Sequence, residues 1–151
     1  MMKDERGRAG AAHEVLMMNL AIFHLLLPVT ALSSGYVSIL LTLALTGSAV
    51  IIFWIYQKSK RTEDSSLIQA HWKLAWHRCR LLLISYAVST VFLLFGCLLS
   101  SSQPDKIMQN IILVVFSRIA AVPIILMVLA LFVMSTTALS QARQGEFPKK
   151  V

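Results

Sequence analysis

An all-α fold, an integral membrane bundle of four transmembrane helices, is predicted by three features of this chain. Its mean hydropathy is +0.72, and only 14% of its 151 residues are charged, against about 25% in a soluble domain. The apolar residues gather in four blocks, at 15–32, 36–56, 81–100 and 119–139. Each is close to the roughly 20 residues that cross a hydrocarbon core of about 30 Å. Continuous apolar blocks mean helices, because a helix satisfies its own backbone N–H and C=O groups where water is absent. Third, the cations fall almost entirely on one side of a four-span thread. A single transmembrane domain over 1–151 follows.

Residues 1–12 read as polar and loose. The first span covers 15–32, its helix ending near Pro28. A rival reading makes it a cleavable leader, with Lys3, Arg6 and Arg8 as a basic region and Ala31-Leu32-Ser33 as a cleavage site. Asn19 and His24 interrupt the apolar run and the block is long enough to span, so a retained helix is the expectation. TALSSGY, with Gly35 supplying the turn, leads into the second span at 36–56. There Ser38, Thr42 and Thr46 recur every fourth residue, with Ala49 close behind. Small and hydroxyl residues at such spacing let helix backbones approach closely in lipid. In QKSKRTEDSS, Asp64 or Ser65 is suited to cap the next helix. The lead-in 67–80 is amphipathic: Ile68, Trp72, Ala75 and Cys79 share one stripe, while Gln69, Lys73, His77 and Arg80 lie on another. It runs without a breaker into the third span, 81–100, where Ser85, Ser89, Gly96 and Ser100 lie near one face. After the outer turn SSQPDK, 107–117 reads as an interfacial segment or the start of a steeply tilted helix. The fourth span, 119–139, contains Pro123, a kink point. A polar tail follows. Cys79 and Cys97 stand about 27 Å apart on one helix, too far for a disulfide, and both read as inert.

Twelve of the fourteen Lys and Arg residues precede span one, separate spans two and three, or follow span four. The other two are Lys106 and Arg118. An excess of cations marks cytoplasmic segments, so both termini and the central loop are expected in the cytoplasm. The formal net charge of +7 is then a topology signal, and nucleic acid is not an expected partner. The expected location is a bacterial inner membrane.

HWKLAWHRCR, residues 71–80, packs histidines, tryptophans and cations together. Tryptophan is enriched at membrane interfaces, and Lys and Arg snorkel toward head groups. Trp72, Lys73, Trp76, Arg78 and Arg80 are therefore read as a membrane-interface anchor. A haem held by two histidines would need them facing at matched depth. His24 falls near or beyond mid-membrane, His71 and His77 at the cytoplasmic surface, and His13 at a fraying helix end. No haem, metal or other cofactor is expected. HEVLM lacks the second histidine of a zinc-protease helix, and no catalytic triad or phosphate-binding loop occurs. Asn19, His24 and Arg118 are the candidate intramembrane polar contacts, since polar groups inside lipid usually have a partner. Arg118 is expected either to snorkel or to pair with Asp105 or a partner's acid.

SSLIQAHWKLAWHRCRLLL and the closing LSQARQGEFP resemble a group of small bacterial inner-membrane proteins of unknown function. In that group a polar turn leads through a His/aromatic/basic segment into a span, and a last span runs into a Gly- and Pro-containing tail. The resemblance covers about 66–83 and 139–148, and implies four spans with no established activity. The leading functional expectation is a non-enzymatic accessory or interaction subunit, in contact with lipid and with another membrane protein or itself. The alternative is a small transporter or channel acting as an oligomer. Its mark would be the hydroxyls of Ser38, Thr42, Thr46, Ser85 and Ser89 converging on one cavity, whereas the same residues buried against neighbouring helices would mark the accessory reading.

Overall fold

The computed structural model describes residues 2–61 and 65–148. Helices account for almost all of them and no strand occurs among them. Four helical stretches are long and apolar enough to cross a membrane. Large apolar side chains such as Leu32, Ile39, Leu98 and Leu126 stand exposed along these stretches. Apolar side chains exposed along whole helices mark a surface that meets lipid or a partner rather than water. The protein is an all-α, multi-pass membrane protein.

The first stretch is composite: α1 (Met2–Asn19), a π-helical segment (Leu20–Leu26) and α2 (Leu27–Ser34). In the wide segment the Leu27 N–H reaches back five residues to the Ile22 carbonyl. Pro28, in the first turn of α2, supplies the reason. It has no N–H for the His24 carbonyl, and its ring crowds that carbonyl in a regular α-helix. A wider turn relieves the crowding without ending the helix. The helix therefore runs past Pro28 to Ser34, where Gly35 adopts the left-handed conformation (φ 77°) and reverses the chain.

Three long helices follow: α3 (Val37–Lys60), α4 (Ser66–Ser101) and α5 (Lys106–Gln144). With 36 residues, α4 is about 54 Å long, well beyond one membrane crossing, and its first turns are the lead-in read from the sequence. Residues 107–117 form the first turns of α5 rather than a separate element. The Asp105 carboxylate accepts the Ile107 N–H at 3.0 Å, an N-cap that fixes where α5 begins. Residues 1–12, expected to be loose, are helical from Met2, and Ala9 and Ala12 are fully buried. Their small side chains allow close packing: a Cβ added to Gly10 would lie 3.3 Å from Leu139. Asp64, considered as a cap, lies outside the described residues.

The chain forms two compact units, one of Met1–Cys79 with Ala130–Val151, the other of Arg80–Leu129. In the first, each helix turns one stripe inward: Ala9, Ala12, Leu16 and Leu20 from the first stretch; Ala44, Ser48, Ile52 and Ile55 from α3; Ile68, Trp72, Ala75 and Cys79 from α4; Leu131, Ser135, Ala138 and Ala142 from α5. Spacings of three and four put each set on one helical face. The α4 stripe is the one the sequence predicts. In the second unit, Gly96 lies against Phe116, whose ring meets Phe95 edge-on at 5.7 Å. Across the turn there, Ser100 Oγ donates to the Gln109 carbonyl and the Gln109 amide to the Gln103 carbonyl.

Gly47 on α3 leaves no room for a side chain, because the Phe23 ring occupies the place of a Cβ. Gly47→Val is expected to destabilise the protein by about 1–3 kcal/mol, read as a lower Tm in a fixed detergent, with partial recovery when Phe23→Leu is added. An unchanged Tm would show that the ring swings aside freely.

Candidate functional site

Two ladders join the lead-in of α4 to its neighbours. The first is aromatic. Trp72 meets Trp54 of α3 edge-on at 5.4 Å, and Trp76 lies against Tyr56 at 4.8 Å. The separations suit offset and edge-to-face ring packing. Lys58 Nζ sits 6.0 Å from the Trp54 ring centre and Lys60 Nζ 5.7 Å from that of Tyr56, at the outer limit of cation–π attraction.

The second ladder is polar and buried. His71 and Arg78 are seven residues apart, two turns along one face of α4, and His13 of α1 reaches in between them. Arg78 Nη1 lies 3.4 Å from His13 Nδ1. His13 Nε2 lies 2.9 Å from His71 Nδ1, the rings edge to face at 5.1 Å. His71 Nε2 lies 3.0 Å from the backbone carbonyl of Glu146. Both histidines are wholly buried and Arg78 is 4% exposed. The carbonyl is aimed by the end of α5. Gly145 is left-handed (φ 79°), its N–H bonds to the Ala142 carbonyl and the Glu146 N–H to that of Gln141. Together these form a Schellman turn.

The two ends of this chain set its direction. A guanidinium only donates hydrogen bonds and a carbonyl only accepts them. Arg78 therefore donates to His13 Nδ1, which must be bare. A neutral His13 then carries its proton on Nε2 and donates it to His71 Nδ1. His71 in turn carries its proton on Nε2 and donates it to the Glu146 carbonyl. Every nitrogen of both rings is committed, and the chain cannot be reversed. Neither end takes up or releases a proton near neutral pH. Nearby, Arg143 and Glu14 form an exposed ion pair at 2.9 Å, a contact of the kind that contributes at most about 1 kcal/mol.

Of the five residues read as an interface anchor, Lys73 and Arg80 are exposed and Trp76 is half-buried. Trp72 and Arg78 are turned inward instead, Trp72 because it shares the buried stripe and Arg78 because His13 accepts from it. Arg118 is exposed, and Asp105, one expected partner, serves as the α5 cap. Asn19 and His24 are brought together by the π-helical turn: His24 Nδ1 donates to the Asn19 carbonyl at 3.2 Å. The Asn19 amide is buried, and neither of its polar atoms has a hydrogen-bond partner among the described residues. Neither cysteine is in a disulfide; Cys79 is buried and Cys97 exposed. No group of three or more His, Cys, Asp or Glu side chains gathers among the described residues. Sequence reasoning missed the His13–His71 pair. The available signal was the seven-residue spacing of His71 and Arg78, on the same side of the lead-in as Ala75.

Truncating either ring leaves the other with an unmade bond in a buried site, at a cost of about 1–3 kcal/mol. In a double-mutant cycle of His13→Ala and His71→Ala, the effects on stability should be non-additive by at least about 0.5 kcal/mol. Additive losses would mean the rings do not interact. No family model, curated protein or solved structure matches the chain.

Proposed function

We propose that the protein is a non-enzymatic accessory subunit of a bacterial inner membrane that docks a helix of another membrane protein against the outer face of α3. The observation that supports this reading is where the hydroxyl residues of α3 point. Ser38, Thr42, Thr46 and Ala49 are all exposed, on a different face from the buried stripe of Ala44, Ser48 and Ile52. Thr42 and Thr46 each donate to the carbonyl four residues back, at 2.8 Å. Their polarity is thus satisfied within the helix and they line no interior path. A strip of small side chains permits close helix approach in lipid, and within the first unit the described residues leave this strip exposed. A conduction path within one copy would turn these hydroxyls inward, and a path between copies is distinguished by the crosslinking below. In the second unit, Ser85 and Ser89 are buried, with Ser85 bonded to the Leu82 carbonyl.

Photo-crosslinkers placed singly at Thr42, Thr46 and Ala49 are expected to capture one discrete membrane protein other than this chain. The same probes at Leu26 and Leu126, exposed on other helices, are expected to capture chiefly lipid. Crosslinks between copies would favour the oligomeric channel, and equal lipid labelling at all positions would remove the docking reading.

The proposed threading puts both termini and the loop between α3 and α4 in the cytoplasm. Its basis is the one-sided distribution of cations. Reporter fusions at Ser65 and Val151 should behave as cytoplasmic and one at Gln103 as exported. Changing Lys58, Lys60, Arg61, Lys73, Arg78 and Arg80 to Gln should give mixed orientation. External accessibility of Ser65 in the unaltered protein would invert the assignment.

A further inference from the structure

We propose that the flank of the first unit where Tyr56 meets Trp76 binds one anionic phospholipid, its phosphate held by Lys60, Lys73 and the Trp76 indole N–H. Such a site differs from a general interface anchor in taking a single lipid of one charge type. It does not depend on a protein docking against α3, and its test uses the purified chain alone.

The Tyr56 and Trp76 rings lie 4.8 Å apart. Lys60 stands four residues beyond Tyr56 on α3, its Nζ 5.7 Å from the Tyr56 ring centre. Lys73 stands three residues before Trp76 on α4, a spacing that makes the two neighbours on one helical face. Both lysines are exposed, Tyr56 is exposed and Trp76 is half-buried. Among the described residues neither lysine is in an ion pair, and neither the Trp76 N–H nor the Tyr56 hydroxyl is hydrogen-bonded. An ammonium and an indole N–H only donate. Donors from two helices thus adjoin one ring pair, with no acceptor supplied by the described residues.

The depth of the ring pair selects a lipid phosphate. The apolar block of α3 runs to Tyr56, and Phe53, one turn earlier, is exposed. Beyond Tyr56, Gln57, Lys60 and Arg61 are exposed. Tyr56 and Trp76 therefore mark the level at which α3 leaves the hydrocarbon, where aromatic rings meet head groups. On α4 the apolar block begins only at Leu81, five residues or about 7 Å past Trp76. Polar sequence on α4 thus runs alongside the apolar end of α3, and a head group drawn in at this step relieves the mismatch. Charge then selects the lipid class. Residues 57–80 carry six Lys and Arg against two carboxylates, Glu63 and Asp64, and juxtamembrane cations attract anionic lipid. A zwitterionic head group brings its own ammonium toward the lysines, whereas the phosphodiester of phosphatidylglycerol brings only negative charge.

The test titrates the full chain, delipidated in dodecyl maltoside, with phosphatidylglycerol or phosphatidylcholine and follows the first lipid adduct by native mass spectrometry. Phosphatidylglycerol is expected to bind about thirtyfold more tightly, from about fivefold for each lysine. Lys60→Gln with Lys73→Gln should abolish that preference by weakening phosphatidylglycerol alone. Lys58→Gln with Lys106→Gln removes the same charge elsewhere, Lys58 lying roughly 200° around α3 from Tyr56. That pair should change either affinity by less than about twofold, because exposed charges at such distances are screened. Trp76→Phe keeps a ring against Tyr56 but removes the N–H, and should weaken phosphatidylglycerol about three- to tenfold. It serves even where the double lysine variant fails to fold. Inorganic phosphate at the lipid's concentration should not displace the adduct. Equal affinity for the two lipids overturns the proposal, as does phosphatidylglycerol binding unaltered by Trp76→Phe. A loss in Lys58→Gln with Lys106→Gln as large as in the site pair would mean general attraction to a basic protein, and displacement by inorganic phosphate a site for a soluble anion; either overturns it too.

Discussion

Inside a bilayer a polar group has no water to fall back on, and most of this structure follows from that one restriction. Backbone N–H and C=O groups must pair within their own segment, so the chain is helical almost throughout and its irregular turns are short. The same restriction governs the exceptions. Pro28 removes one backbone donor, and a widened turn before it, rather than a break, keeps the first stretch continuous. Threonines on the exposed face of α3 return their hydroxyls to carbonyls of their own helix. Among the polar side chains that turn inward, His13, His71 and Arg78 find one another, whereas the Asn19 amide does not.

The buried ladder is set by its ends rather than by its middle. A histidine alone is ambiguous, since either ring nitrogen can carry the proton. Between a group that only donates and a group that only accepts, the ambiguity disappears, and two neutral rings acquire a single orientation. Arg78 keeps its charge without a carboxylate among its hydrogen-bond partners in the described residues. A charge buried in this way makes any further positive charge beside it costly. The electrostatics and the bond directions thus favour the same protonation state. Consistency of that kind distinguishes an organised polar network from a chance meeting of polar side chains.

What was legible in the sequence divides along the same line. The four helices were legible because an apolar run of about 20 residues has one common explanation. The α4 stripe of Ile68, Trp72, Ala75 and Cys79 was legible because helical period is a local property. The helix over residues 2–12, packed at Ala9, Gly10 and Ala12, was not. Polarity alone suggested a loose segment, whereas Ala9, Gly10 and Ala12 offer a surface small enough for close helix packing, visible only against Leu139. The histidine pair was not legible either. His13 stood at the level of the lead-in histidines, but a position in the first turns of a polar N-terminal segment reads as a fraying helix end. In the structure α1 begins eleven residues before His13 and packs through Ala9 and Ala12, so His13 lies within a formed helix.

Arg78 makes the general difficulty concrete. In sequence it sits in a run of cations and tryptophans before a span, where snorkelling is the common fate. Arg80, two residues on, is exposed as that rule expects. Two residues turn a helix by roughly 200°, from 3.6 residues per turn, so the neighbours in sequence face nearly opposite ways. One meets solvent or head groups and the other meets His13. Composition describes the run as a whole and cannot separate them. What separates them is the face on which each falls, and the relevant face is marked by Ala75 between His71 and Arg78. A small residue flanked by polar ones at spacings of three and four leaves room for a neighbouring helix to approach and bring a partner within reach. In a membrane helix this pattern of polar, small and polar residues on one face indicates inward pairing more directly than charge does. Here it distinguishes the residue that builds the interior from the one that only marks the side.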